Sequence, residues 1–107
     1  MPVCWVKAGE CGHETSINAR KVSPAKVVFE ITSTCERIQS MAEVLGEVDA
    51  AHDMSCSMNE TRVYSIAPDY VCRNSCVVPA AILKAMEVAA GIFLPADAHI
   101  EFLEDTI

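Results

Sequence analysis

The 107 residues carry 15 acidic against 8 basic side chains, and the resulting charge of −7 repels phosphate backbones and anionic lipid, which argues against a nucleic-acid partner. Apolar residues make up 51% of the chain, too many for disorder, and length and composition together fit a single domain over residues 1–107. The longest apolar stretch, residues 77–95, holds Lys84 and Glu87 in its middle and reads as a buried helix rather than a membrane span.

Residues 1–9 lack the positive start and continuous apolar core of a secretory signal, so a cytoplasmic location is expected. In a reducing compartment six cysteines point to metal binding, catalysis or core packing; export would favour three disulfide bridges instead.

Val3 to Ala8 alternates, with Cys4, Val6 and Ala8 on one face, which is the period of a strand. The run Gly9-Glu10-Cys11-Gly12 supplies the turn. A second strand is predicted from Thr15 to Val22, a break at Ser23-Pro24, and a third strand over Lys26 to Thr32 with Val27, Phe29 and Ile31 inward. These form an antiparallel three-stranded meander. Ser33-Thr34-Cys35-Glu36 matches a capping box, and Ile38, Met41, Ala42 and Leu45 repeat at helical spacing up to Gly46. Glu47 to Met58 has no clear period. Asn59 is placed to cap a second helix through Val63, Ile66 and Ala67, which Pro68 breaks. The third helix spans Pro79 to Ala90, apolar nearly all round apart from Lys84 and Glu87. Ala98 to Leu103 alternates again and predicts a last strand, followed by an acidic tail. The expected fold is α+β: the meander plus a C-terminal strand, with three helices packed on one face.

Short connections between antiparallel neighbours allow the end of the fold at which each junction sits to be counted. With the first turn as the top, Cys11, Cys35, Cys72 and Cys76 all fall at the top, and Cys4 and Cys56 at the bottom. Clustered thiolates select zinc or iron–sulfur centres over hard cations, so these four are the candidate metal ligands. Cys11 sits between glycines that allow a tight turn to aim amides at its sulfur. Cys35 is expected in the first turn of a capped helix, where free amides and the helix dipole lower a thiol pKa, and Cys76 just before the third helix gains similarly.

The spacing is not distinctive. Cys72-x3-Cys76 is not a repeated Cys-x-x-Cys, and Pro79 stands where a radical-enzyme pattern would have its third cysteine. Ordinary reduced thiols near the core are an equal alternative, a redox dithiol of Cys72 and Cys76 another, and a metal-free interaction domain a third. His13, two residues after Cys11, offers a replacement ligand in a Cys3His zinc site or is simply a solvated turn residue. His52 and Cys56 share a four-residue spacing that suggests a second small site. His99 is expected on the exposed side of its strand. A Cys11 nucleophile with a His13 base has no recognisable oxyanion hole to serve it, and Glu43, Glu47, Asp49 and Asp53 read as solvated carboxylates. Binding is therefore favoured over independent catalysis.

The segments Ala8-Gly9-Glu10-Cys11-Gly12 and Cys76-Val77-Val78-Pro79-Ala80-Ala81-Ile82, with Glu87-Val88-Ala89-Ala90-Gly91 beyond, resemble a family of small uncharacterised domains of anaerobic bacteria and archaea. The likeness covers almost the whole chain. The family carries no established activity to transfer to any residue, but the anaerobic setting that the resemblance implies favours an iron–sulfur centre over zinc.

A homodimer through residues 79–91 is the remaining expectation. Ala81, Ala85 and Ala89 form a small-residue row along which a second copy's helix could approach, unless the row packs on a helix of its own chain.

Overall fold

The computed structural model describes residues 3–104; Met1 and Pro2 at the start of the segment read for a leader, and the tip of the acidic tail from Asp105 onward, lie outside the described residues. Strands β1 (Cys4–Lys7), β2 (Glu14–Lys21) and β3 (Lys26–Ser33) form the antiparallel meander that the alternating pattern predicts. Its register places Val6 opposite Thr15, Ile17 opposite Ile31 and Ala19 opposite Phe29. One face thus collects the apolar side chains, while Trp5, Lys7, Asn18, Arg20 and Glu30 take the other. On that open face the Lys7 ammonium lies 5.4 Å from the centre of the Trp5 ring.

Helices α1 (Glu36–Leu45) and α4 (Val78–Ala89) cover the apolar face, α3 (Arg62–Ile66) packs against both of them, and α2 (Ala50–Ser55) lies at the edge of the sheet. Ile17, Val27, Met41, Val63 and Ile82 have no exposed surface and mark the centre of the core between sheet and helices. Gly46 ends α1 with a φ of +65°, a conformation open to glycine at little cost.

The last strand differs from expectation. Residues 98–103 form no strand; from Gly91 to Glu104 every residue is exposed, with Phe102 97% exposed. The fourth strand is instead β4 (Val48–Asp49), two residues long, where Val48 pairs with Val27 and Asp49 with Lys26 along the outer edge of β3. Alternation reports which way side chains point, but a strand exists only where backbone donors and acceptors find partners, and β4 finds them on β3.

Two helix boundaries also shift. The capping box does not start α1 at Ser33, which ends β3; the helix begins at Glu36, with Cys35 as N-cap. Thr61, not Asn59, caps α3 by accepting from the Tyr64 amide, and residues 58–60 form a single 3-10 turn before it. In the segment without a readable period, Asp49 caps the short α2 by accepting from the His52 amide. Pro68 sits, as its chemistry requires, in a 3-10 turn that closes α3.

Helix α4 is more fully covered by its own chain than its apolar circumference suggested. Ala85 is buried, Ala81 and Ala89 are half-buried against the core, and Ala80 and Lys84 are the exposed positions. Among the described residues, no helix is long and apolar enough to cross a membrane.

Candidate functional site

The four cysteines counted to the top are delivered by three local devices. Cys11 sits at the tip of the β1–β2 hairpin, where Gly9 and Gly12 adopt φ of +90° and +73° and the Gly12 amide donates to the Gly9 carbonyl at 2.9 Å. The Ala8 amide closes the hairpin on the His13 carbonyl at 3.1 Å.

Cys35 is held by the junction between β3 and α1. Its amide donates to Ser33 Oγ at 3.1 Å, and that hydroxyl lies 2.8 Å from Thr15 Oγ1 on β2. Gln39 reaches back from α1, accepting from the Ser33 amide at 2.9 Å and donating to the Ile31 carbonyl at 3.1 Å. Thr34 ties the junction to β2 through a reciprocal pair: its amide donates to the Glu14 carbonyl and its hydroxyl accepts from the Glu14 amide, both at 3.0 Å. Cys72 and Cys76 lie in the connection to α4, where the Cys76 amide donates to the Arg73 carbonyl at 3.2 Å. Pro79 then stands in the first turn of the helix, where its missing amide costs nothing.

These devices converge on one cleft of about 440 Å³, whose wall includes Cys11, Cys35, Cys72 and Cys76 together with His13 and Arg37. Cys4 and Cys56 do not line it. Cys4 begins β1 with its thiol directed at the Ala81 carbonyl of α4, 3.9 Å away, and packs against the core. Cys56 follows α2 as its C-cap.

Residues 3–102 match a family described only as a family of unknown function, DUF6951. The chain belongs to that family. DUF6951 brings no activity with it, so the chemistry rests on the cleft's own residues; neither a curated protein nor a solved structure matches this DUF6951 chain.

All six cysteines are free thiols; Cys11 and Cys72 are exposed, Cys35 and Cys76 half-buried. Burial pushes the Cys76 thiol above its ordinary value, and the charges of Cys72, Cys11 and Cys35, were they thiolates, would push it in the same direction. The Val78 amide at the start of α4 opposes that rise without overcoming it, so the activation expected for Cys76 from the helix end is reversed. A cation among clustered thiolates would stabilise them together.

The four sulfurs are gathered but not collapsed. Tetrahedral zinc with bonds of about 2.3 Å would hold its sulfurs about 3.8 Å apart. Among the described residues the one triad of potential ligands whose atoms all lie within 4.8 Å of one another is His52, Asp53 and Cys56, away from the cleft. His13 is on the cleft wall, with its Nδ1 3.0 Å from Thr34 Oγ1. His99 lies in the exposed C-terminal segment, 2.9 Å from Glu101, rather than on a strand.

The sequence reading missed Asp53. Taken there as a solvated carboxylate, its side chain is 3% exposed and is held by the Arg62 amide at 2.9 Å and the His52 imidazole at 2.8 Å. The signal was available in the spacing of His52, Asp53 and Cys56, but adjacent positions on a helix point apart, and only the end of α2 at Cys56 brings the three together. Arg62 was equally silent in the sequence. Its guanidinium donates to the Leu45 carbonyl at 3.1 Å and to the Val44 carbonyl, closing the C-terminal end of α1.

Proposed function

We propose that the cleft binds a thiolate-ligated metal centre, an iron–sulfur cluster in preference to mononuclear zinc, and that the protein is an accessory or electron-carrying component rather than an enzyme in its own right. The observation that supports this reading is the convergence of Cys11, Cys35, Cys72 and Cys76, from three separate connections of the fold, on one cleft. Sulfurs dispersed around a cavity suit a multi-atom centre, whereas a single zinc ion would require them to close in. The anaerobic setting implied by the family resemblance favours the same choice. A reducing, cytoplasmic setting belongs to the proposal, since it keeps the thiols available as ligands. The net charge of −7 keeps nucleic acid off the list of proposed partners.

The second reading is a redox dithiol of Cys72 and Cys76, favoured by their shared loop and common cleft. The raised pKa of Cys76 leaves Cys72, which is exposed, as its attacking thiol. Self-association through residues 79–91 is also proposed, on the narrower surface that Ala80 and Lys84 leave exposed.

Anaerobic purification followed by iron, zinc and acid-labile sulfide analysis tests the reading. Visible absorption with matched iron and sulfide, lost in serine variants of each of the four cleft cysteines and kept in Cys4→Ser, is the expected outcome. Stoichiometric zinc without colour, removed by the same variants, moves the site to the zinc alternative. A reversible Cys72–Cys76 disulfide in protein that takes up neither metal supports the redox reading. Unmodified thiols that bind nothing would sink all three, leaving a metal-free interaction domain.

A further inference from the structure

The Asp53 carboxylate is buried, and among the described residues no lysine or arginine side chain pairs with it. A buried carboxylate is costly unless hydrogen bonds and a positive charge compensate it. The hydrogen bonds are present: Oδ2 accepts from the Arg62 amide at 2.9 Å and Oδ1 faces His52 Nδ1 at 2.8 Å. The guanidinium of Arg62 is turned away, onto the carbonyls that end α1. What remains for positive charge is the imidazole of His52, with the Cys56 sulfur beside it and all three ligand atoms within 4.8 Å of one another.

We infer that His52, Asp53 and Cys56 form a second site, separate from the cleft, for a single divalent cation of the zinc class. Nitrogen and sulfur donors with one carboxylate select zinc or cobalt over magnesium and calcium, which take oxygen ligands. The second carboxylate oxygen, fixed by a backbone amide, orients the ligand in the way that hydrogen-bonded carboxylates do around metals. The Cys56 amide donates to the His52 carbonyl at 3.1 Å, which locks the backbone between those two ligands. Asp49 and Glu60 add negative potential around the imidazole, and Glu60 around Cys56. The imidazole is exposed while Asp53 is buried, so the group opens to solvent on its histidine side. Three protein ligands and a solvent-facing fourth position are the arrangement of zinc sites that bind water or a small ligand.

Titration of the reduced, metal-free full chain with Co2+ tests this by optical spectroscopy. In the protein carrying Cys11→Ser, Cys35→Ser, Cys72→Ser and Cys76→Ser together, one equivalent of Co2+ should still bind, with tetrahedral d–d bands and a thiolate-to-cobalt charge-transfer band. Adding Cys56→Ser should remove that band, and His52→Ala should weaken binding about a hundredfold or more, since loss of even an indirect partner costs up to that much. If the four serines prevent folding, the wild-type chain decides: Cys56→Ser or His52→Ala should lower its total Co2+ stoichiometry by one. Binding that is indifferent to Cys56 and His52, or a wild-type stoichiometry unchanged by either substitution, overturns the site. Neither result bears on the cleft, whose ligands are different residues.

Discussion

Ile82 on α4 has no exposed surface, and α4 packs across β2 and β1, so its side chain fills the middle of the core. Ile82→Ala should cost about 2–5 kcal/mol, the range for large-to-small core changes, out of a stability of about 5–15 kcal/mol for a domain of this kind. Urea denaturation followed by circular dichroism would read this as a lowered midpoint with an unchanged slope. Arg62→Ala should cost about 1–2 kcal/mol, because its guanidinium holds carbonyls that α1 cannot satisfy internally. Three thiols set the response to alkali. Cys4, Cys56 and Cys76 are all raised above the ordinary 9.0, burial being the largest cause in each. The folded state therefore holds these protons more tightly than the unfolded state. Their contribution is fully present below pH 9.0 and is lost as pH rises through the raised values, so the melting temperature of reduced, metal-free protein should fall above that pH. A melting curve flat from pH 8 to 10, a window of about one unit either side of the ordinary value, would contradict it.

The meander, α1 and α4 were readable because each carries enough residues for a period to show: Val27, Phe29 and Ile31 turn inward as their alternation demands. The short elements were not. β4 has two residues and α2 six, lengths at which neither a strand nor a helix period can declare itself, and both are fixed by partners distant in sequence, Val27 and Arg62. The C-terminal segment shows the converse failure, a clear alternation over 98–103 with no paired edge to use it. Since Gly91 to Glu104 contribute nothing buried, a chain ending at Pro95 should keep the melting temperature of the full chain within about 2 °C, a shift corresponding to well under 1 kcal/mol. A larger drop would mean that the segment has a partner on the fold.

For the molecule as a whole, the count of antiparallel ends put Cys11, Cys35, Cys72 and Cys76 at one end, and one cleft is lined by all four although the count lacked β4 and α2. The second group escaped the count because it depends on side-chain packing rather than on topology: nothing in the order of elements says that Asp53 turns inward. Self-association is testable at the same scale. Size-exclusion chromatography with light scattering should give a mass near twice 11.6 kDa at high concentration. Lys84→Glu, at an exposed position of α4, should shift it toward the monomer. A mass of one chain throughout the micromolar range rules the dimer out.

The cleft takes its sulfurs from the hairpin near the beginning of the chain, from the junction of β3 with α1 and from the loop before the last helix. Anything that binds Cys11 and Cys76 at once therefore behaves as a cross-link, closing a loop of about 65 residues and restricting the unfolded chain far more than the native one; for a covalent bridge of that span the effect is about 4 kcal/mol. Loading the site would thus read out as resistance to proteolysis throughout the folded part of the chain, not only near the cysteines, while the exposed segment after Gly91 stays open to cleavage. If the proposed centre binds there, its loss would leave the chain more easily degraded, and its supply would set the lifetime of the protein.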